Sequence, residues 1–253
     1  MRLVLPVILA AITPVALAER SATLDITNLR FEVTDLRPDD GIAPSHHFLG
    51  FYALGMSVLV TKQHTRDELV RSDTFYEPYG SWAFELNEPY ASANTEITWT
   101  ADQFRVLVQG VASDATPDRG MFRSHSIADY YGEVGAFTSV KVTADYVIDL
   151  HADPMPQASR QDFVDVHVSG HGYAPLHARA YSNPAFGSTD VRREGQLTFS
   201  HINDSQTPWR YDNTFFMHAW GVAPIPEPAS FALLLAGLGV VGGVAHRRKA
   251  GPA

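Results

Sequence analysis

Three carboxylates crowd into a short segment near the start of the chain, where they could bind a metal ion. Asp35, Asp39 and Asp40 lie within six residues, and Gly41 directly after them allows a sharp reversal. Hard cations such as Ca²⁺ take several oxygen ligands, so this loop is a candidate for structural calcium; apart from this possibility no cofactor is expected for the loop. The spacing does not match an EF-hand loop, and Pro38 disrupts such a frame. The other interpretation is a β-turn in which the aspartates cap their own backbone.

Histidines are the second group of candidate ligands, since the chain contains 11 of them. His167 and His171 are four residues apart, and His177 follows. In an extended strand a spacing of four separates two side chains by roughly 13 Å, too far for one metal ion. A turn at Gly170 could bring them together to hold zinc or copper. Solvated or locally hydrogen-bonded histidines are the alternative.

Carboxylates for glycoside hydrolysis are the third candidate chemistry. Glu85 and Glu88 lie near Trp82 and Tyr90, a combination that would suit a sugar cleft with aromatic platforms. Glycosidases need two carboxyl groups at a set separation, which a sequence does not report. The chain contains no Gly-x-Ser-x-Gly elbow, no His-Glu-x-x-His and no phosphate-binding glycine loop. We therefore assign no catalytic residue and predict a protein that is not an enzyme.

The elements that would position these side chains are mostly strands. Val164, Val166 and Val168 alternate with polar residues, which is the pattern of a half-buried strand. The alternation changes phase near Thr27 and Asn28, which predicts a β-bulge or a turn. Many short strands separated by Gly, Pro, Asp and Asn clusters favour an antiparallel β-sandwich of the jelly-roll kind. Short helical turns are predicted only at 66–71 and 124–131.

Composition limits the partners of this body. The body is the part of the chain between its two terminal segments, residues 19–223. Leaving out Arg2, Arg247, Arg248, Lys249 and Glu227, which lie in those terminal segments, it carries 15 basic and 27 acidic residues, a net charge near −12. Nucleic acid is not expected as a partner, because phosphate binding needs clustered cations. The absence of cysteine excludes disulfides, a thiol nucleophile and thiolate-bound metals.

The C-terminus contains three unlike elements in a fixed order. Pro226, Glu227 and Pro228 precede an uncharged apolar run over 229–245, and a basic cluster follows at 247–249. As a helix, the run would span roughly 25 Å, enough to cross the core of a bilayer. The basic cluster Arg247, Arg248 and Lys249 would stay in the cytoplasm, so the body would lie outside.

This order resembles the PEP-CTERM sorting signal of Gram-negative bacteria. The resemblance implies that an exosortase-type membrane protease recognises Pro226, Glu227 and Pro228 and removes the tail. Substrates of this family are exported and are often linked to exopolysaccharide or biofilm production. The prolines would keep the recognition segment extended and outside the helix. An ordinary membrane anchor that is never cut is the alternative.

The N-terminus agrees with export. A short positive segment, an apolar stretch from Leu3 to Ile12 and the small residues Ala16 and Ala18 form a secretory signal pattern, so cleavage is expected after Ala18. The translocon and signal peptidase are then expected partners. We divide the chain into a signal peptide (1–18), a β-sandwich ectodomain (19–223) and a sorting signal with a transmembrane helix (224–253).

Together these features predict an exported, non-enzymatic surface or matrix protein associated with exopolysaccharide or biofilm. It would be anchored transiently in the inner membrane and then released to the periplasm, cell surface or matrix. The alternative is a secreted polysaccharide-active enzyme or a carbohydrate-binding module.

Overall fold

The computed structural model describes residues 18–62, 68–76, 79–100, 103–113, 120–155, 158, 160, 163–170 and 175–223. These residues form twelve β-strands in two sheets of six, and every pairing between neighbouring strands is antiparallel. The predicted all-β sandwich is therefore confirmed. The predicted C-terminal helix lies outside the described residues, which contain no helix long and apolar enough to cross a membrane.

The first sheet has the strand order β11-β8-β1-β6-β5-β4. Its strands are β1 (Glu19–Asp35), β4 (Gly80–Glu88), β5 (Ala91–Trp99), β6 (Phe104–Ser113), β8 (Thr138–Ala152) and β11 (Asp190–Asn203). The second sheet has the order β10-β9-β12-β7-β2-β3. Its strands are β2 (His46–Lys62), β3 (Glu68–Phe75), β7 (Gly120–Val134), β9 (Phe163–Gly170), β10 (Leu176–Tyr181) and β12 (Trp209–Val222).

The alternation of side chains explains why these segments pack as two layers. In β9, Val164, Val166 and Val168 are fully buried, while the residues between them face outward. The same alternation runs along the other central strands and gives one continuous core between the sheets. Each fully buried Val, Leu, Ile or Phe contributes about 1.5–3 kcal/mol to folding.

The predicted break in β1 is confirmed as a β-bulge. The register of β1 against β8 shifts between Thr27 and Arg30, and Asn28 has a φ of 56°. Asparagine tolerates this left-handed backbone better than most residues. Asn28 and the three residues that follow it line a cleft.

The two predicted helical turns are wrong over the residues that the structure describes. Residues 68–71 belong to β3, and 124–131 belong to β7. In β7 the inward-facing residues Ser124 and Ser126 are polar but buried. Both make hydrogen bonds to partners inside the sandwich. Because these core positions are not apolar, the period of two was hidden in the sequence.

Candidate functional site

A cleft of about 680 Å³ lies at one end of the sandwich. Five elements meet there: the bulge of β1, the start of β2, the residue preceding β4, the end of β5 and the start of β6. The lining residues are Asn28, Leu29, Arg30, Phe31, Phe48, Tyr79, Trp99, Thr100, Gln103 and Phe104. Half of them are aromatic, which is typical of a site that binds flat or apolar faces of a ligand.

The aromatic rings of the cleft contact one another in series. The Phe48 ring centroid lies 5.3 Å from that of Phe31 and 5.2 Å from that of Trp99, and Trp99 makes an edge contact with Phe104. Tyr79 stacks over Trp99 with an interplanar angle of 15° and remains 58% exposed. The packed rings hold each other in place, so Tyr79 offers a positioned aromatic face to solvent.

Polar groups stand at the rim beside the β1 bulge. Asp145 on β8 accepts hydrogen bonds from Asn28 Nδ2 at 3.0 Å, from Arg30 Nη2 at 2.6 Å and from Gln196 Nε2 at 3.0 Å. The hydrogen bonds from Asn28 and Gln196, with the Arg30 guanidinium nearby, lower the pKa of Asp145. This network orients the Arg30 and Asn28 side chains at the mouth of the cleft, where they could donate to hydroxyl groups.

A buried polar network lies behind the aromatic wall. His46 Nε2 is 2.7 Å from the hydroxyl of Tyr211, and its ring packs against Phe31. His201 stacks on Tyr211 with a centroid distance of 3.9 Å. Burial lowers the pKa of His46, lowers that of His201 to about 4 and raises that of Tyr211. Both imidazoles are therefore neutral at neutral pH.

The aspartate loop caps its own backbone. Asp35 Oδ1 accepts from the Arg37 N–H at 2.8 Å, and Asp40 Oδ1 accepts from the Ile42 N–H at 2.7 Å. These are the hydrogen bonds of the β-turn interpretation. Calcium binding by Asp35, Asp39 and Asp40 stays a prediction.

The histidine and glutamate candidates have different outcomes. His167 and His177 lie opposite each other on β9 and β10, whereas His171 lies outside the described residues. Glu85 and Glu88 are three residues apart on β4, so they point to opposite faces of the sheet and do not form a carboxylate pair. Within the described ranges, no group of three or more His, Asp or Glu side chains is positioned around a common metal point.

Two signals at the chain ends fall mostly beyond the described residues. Ala16, Pro226, Glu227, Pro228 and the basic cluster at 247–249 are outside them. Ala18 is buried beside the start of β1, and the backbone N–H of Glu19 donates to Asp153 Oδ2 at 2.6 Å. The signal-peptide cleavage after Ala18 stays a prediction.

Sequence reasoning missed most of the cleft. Tyr79 and Gln103 carry no motif, and Phe48 lies in an apolar stretch that has no chemical group to mark a site. His46 is half-buried in β2, behind the aromatic wall, and no motif in the sequence marks it. The one usable signal was the phase change at Thr27 and Asn28, which marks where the cleft begins.

Comparison with known proteins identifies the C-terminal segment. A family model described as the PEP-CTERM protein-sorting motif matches residues 224–249. The searches of curated proteins and of solved structures each found no match. Fold and tail together define an exported β-sandwich protein that is anchored in the membrane until its tail is processed. The chain is a PEP-CTERM protein, a substrate of an exosortase.

Proposed function

We propose that this protein is a non-enzymatic component of the cell surface or extracellular matrix, and that its aromatic cleft binds a neutral exopolysaccharide. The signal peptide and translocon would deliver it across the inner membrane, and exosortase processing would release it there. The single observation that carries the polysaccharide assignment is the exposed Tyr79 ring, which is stacked on Trp99 above a cleft of about 680 Å³.

The chemistry of the lining supports sugar binding. Pyranose rings present C–H faces that pack on aromatic rings, and their hydroxyl groups pair with amide and guanidinium donors. In the cleft, Tyr79 can stack on the face of a sugar ring. Arg30, Asn28 and Gln103 can donate hydrogen bonds to its hydroxyl groups. Arg30 and Asn28 are already held by Asp145, so little side-chain entropy would be lost on binding.

Charge favours a neutral glycan over an acidic one. The body has a net charge near −12, which disfavours the approach of a polyanion. Arg30 is the one cationic residue among the described lining residues, and it is already paired with Asp145. An acidic polysaccharide would therefore meet repulsion with little local compensation.

Binding without turnover is supported by the character of the lining. Among the described residues that line the cleft, none is an acid or a histidine. Hydrolysis of a glycosidic bond ordinarily requires two carboxyl groups beside the scissile linkage. The cleft as described therefore supports a binding role better than the alternative of a polysaccharide-active enzyme.

Affinity electrophoresis of the purified full chain against neutral and acidic bacterial exopolysaccharides tests the proposal. We expect retardation by a neutral glycan, and we expect Tyr79→Ala to weaken it by about fivefold, since stacking on one aromatic ring contributes about 1 kcal/mol. Tyr76→Ala is the matched control, because Tyr76 is 74% exposed and does not line the cleft. Equal retardation of both variants would refute the cleft as the binding site. Release of reducing ends from the glycan would establish the enzyme instead.

A further inference from the structure

Four histidines lie side by side across the outer face of the second sheet. His218 on β12 pairs in register with His125 on β7 and with His167 on β9, and His167 pairs with His177 on β10. The row thus crosses four adjacent strands, with one imidazole on each. We refer to these four residues as the histidine row.

All four side chains point away from the core. His125, His167 and His218 each lie between two buried residues of their strand, and His177 lies on the edge strand with half its side chain exposed. Directly opposite residues of antiparallel strands have Cβ atoms about 4.5–5.5 Å apart. Histidines that are in register on neighbouring strands can therefore approach one another.

Ring distances suit a metal ion between two neighbours. The centroids of His125 and His218 are 6.4 Å apart, and those of His167 and His177 are 6.1 Å apart. With a metal–nitrogen bond of about 2.1 Å, each ring centroid sits about 3.2 Å from the metal, so two bound rings are at most about 6.4 Å apart. Side-chain rotation that closes the gap by about 1 Å gives a tetrahedral angle.

His177 already has the hydrogen bond that zinc-bound histidines usually make. Its Nε2 lies 3.1 Å from Asp165 Oδ2, and Asp165 is held in turn by Arg179 Nη2 at 3.1 Å. A carboxylate on one ring nitrogen fixes the tautomer and leaves the other nitrogen, here Nδ1, with its lone pair for a metal. Asp165 lies two residues before His167 on the same face of β9, so it supports the pair that the two histidines form.

The centre of the row contains a ring nitrogen that lacks a protein partner. Nε2 of His218 is buried and has no hydrogen-bond partner among the described residues. Buried polar atoms are rarely left in this condition, because each lost hydrogen bond costs about 1–3 kcal/mol. Coordination would satisfy such an atom once the ring turns toward a neighbour in the row.

We propose that the histidine row is a surface site for a divalent transition metal, Zn²⁺ or Cu²⁺, bound by cross-strand histidine pairs with water completing the coordination. The side chains as they stand do not gather three ligands at one point, so each metal ion has two protein ligands. Imidazole prefers Zn²⁺ and Cu²⁺ to hard cations, and affinity follows the order Cu²⁺ above Zn²⁺. This site is separate from the aromatic cleft and does not depend on polysaccharide binding.

Isothermal titration of the metal-free full chain with ZnCl₂ and CuCl₂ tests the proposal. We expect both ions to bind saturably, and Cu²⁺ to bind more tightly than Zn²⁺. Ca²⁺ should not compete with either ion for this site. His177→Ala should weaken binding at least about tenfold. Asp165→Asn should weaken it by about tenfold, because the amide oxygen can still accept from Nε2 but no longer supplies the carboxylate charge that makes the imidazole a stronger ligand.

The choice of variants keeps the outcome interpretable. His177 is on an exposed edge strand, so its removal leaves the core intact; circular dichroism of the metal-free variant checks this. His47→Ala is the control, because His47 is exposed in β2 and outside the row. The proposal is overturned if neither ion binds at millimolar concentration, or if His47→Ala weakens binding as much as His177→Ala.

Discussion

Acid should destabilise this protein through His201, a residue of the network behind the cleft. The His201 ring is stacked on Tyr211, and its Nε2 lies 2.9 Å from Asn213 Nδ2, which also donates to the hydroxyl of Tyr130 at 3.1 Å. Because Asn213 Nδ2 is a donor, Nε2 of His201 must be an acceptor, and the imidazole is neutral. Protonation of Nε2 would place two hydrogen-bond donors, the imidazolium N–H and the Asn213 amide, opposite each other in a half-buried site.

The size of the effect follows from the pKa. Burial, with a smaller contribution from His46, lowers the pKa of His201 from 6.5 to about 4. A difference of about 2.5 units corresponds to at most about 3.4 kcal/mol. Since the ring retains some contact with solvent, screening reduces this to about 1–2 kcal/mol. As the pH falls, His201 of the unfolded chain takes up a proton before His201 of the folded chain does, which favours unfolding. The contribution of the neutral His201 to the free energy of unfolding is therefore complete above pH 6.5 and is lost as the pH falls towards 4.

The variant His201→Gln isolates this contribution. The glutamine amide oxygen can accept from Asn213 but does not titrate. Urea unfolding of the full chain and the variant, at about pH 7.5 and about pH 4.5, should show that the variant loses about 1 kcal/mol less stability between the two conditions. Carboxylate titration cancels in this difference. His47→Gln serves as the control and should follow the parent chain. If His201→Gln shows the same pH dependence as the parent, the reasoning is refuted.

Three further outcomes test the packing, a surface ion pair and the sorting tail. Gly110→Ala should destabilise the fold by about 1–3 kcal/mol, because the added methyl group would overlap the buried Phe122 ring, and an unchanged urea midpoint would contradict this. His151→Gln should cost more stability at about pH 5.5 than at about pH 8.5. The hydrogen bond to Asp190 raises the pKa of His151, so the stabilisation by the charged imidazole disappears as the pH rises through this raised pKa. Equal costs at the two pH values would refute this. Glu227→Ala should leave the tail attached in the exported protein, as measured by intact mass, and a trimmed variant would show that the glutamate is not required for exosortase processing.

The strands were largely predictable because their signal, the alternation of apolar and polar residues, depends only on residues adjacent in the sequence. A strand with one buried face must alternate, and Val164, Val166 and Val168 do so without exception. The segment containing Ser124 and Ser126 was not predictable, because two buried serines replaced the apolar residues that reveal the period. Their burial is possible because each makes a hydrogen bond with a partner on another strand, and the sequence does not report those partners.

The candidate sites were much less predictable than the strands. Spacing along the sequence indicated His167 with His171 and Glu85 with Glu88, which are pairs close in sequence. In a β-sandwich, however, side chains meet across strands rather than along them. His167 meets His218 and His177 through register, so spacing along one segment could not reveal the row.

The amino-acid sequence by itself determined the route of this protein and its fold class, because a sorting motif and a period of two are both local properties of the chain. Tertiary structure alone decided which side chains are neighbours. Tyr79 lies over Trp99, and His125 lies beside His218, because backbone hydrogen bonding and the packing of two sheets set the register between segments that are distant in sequence.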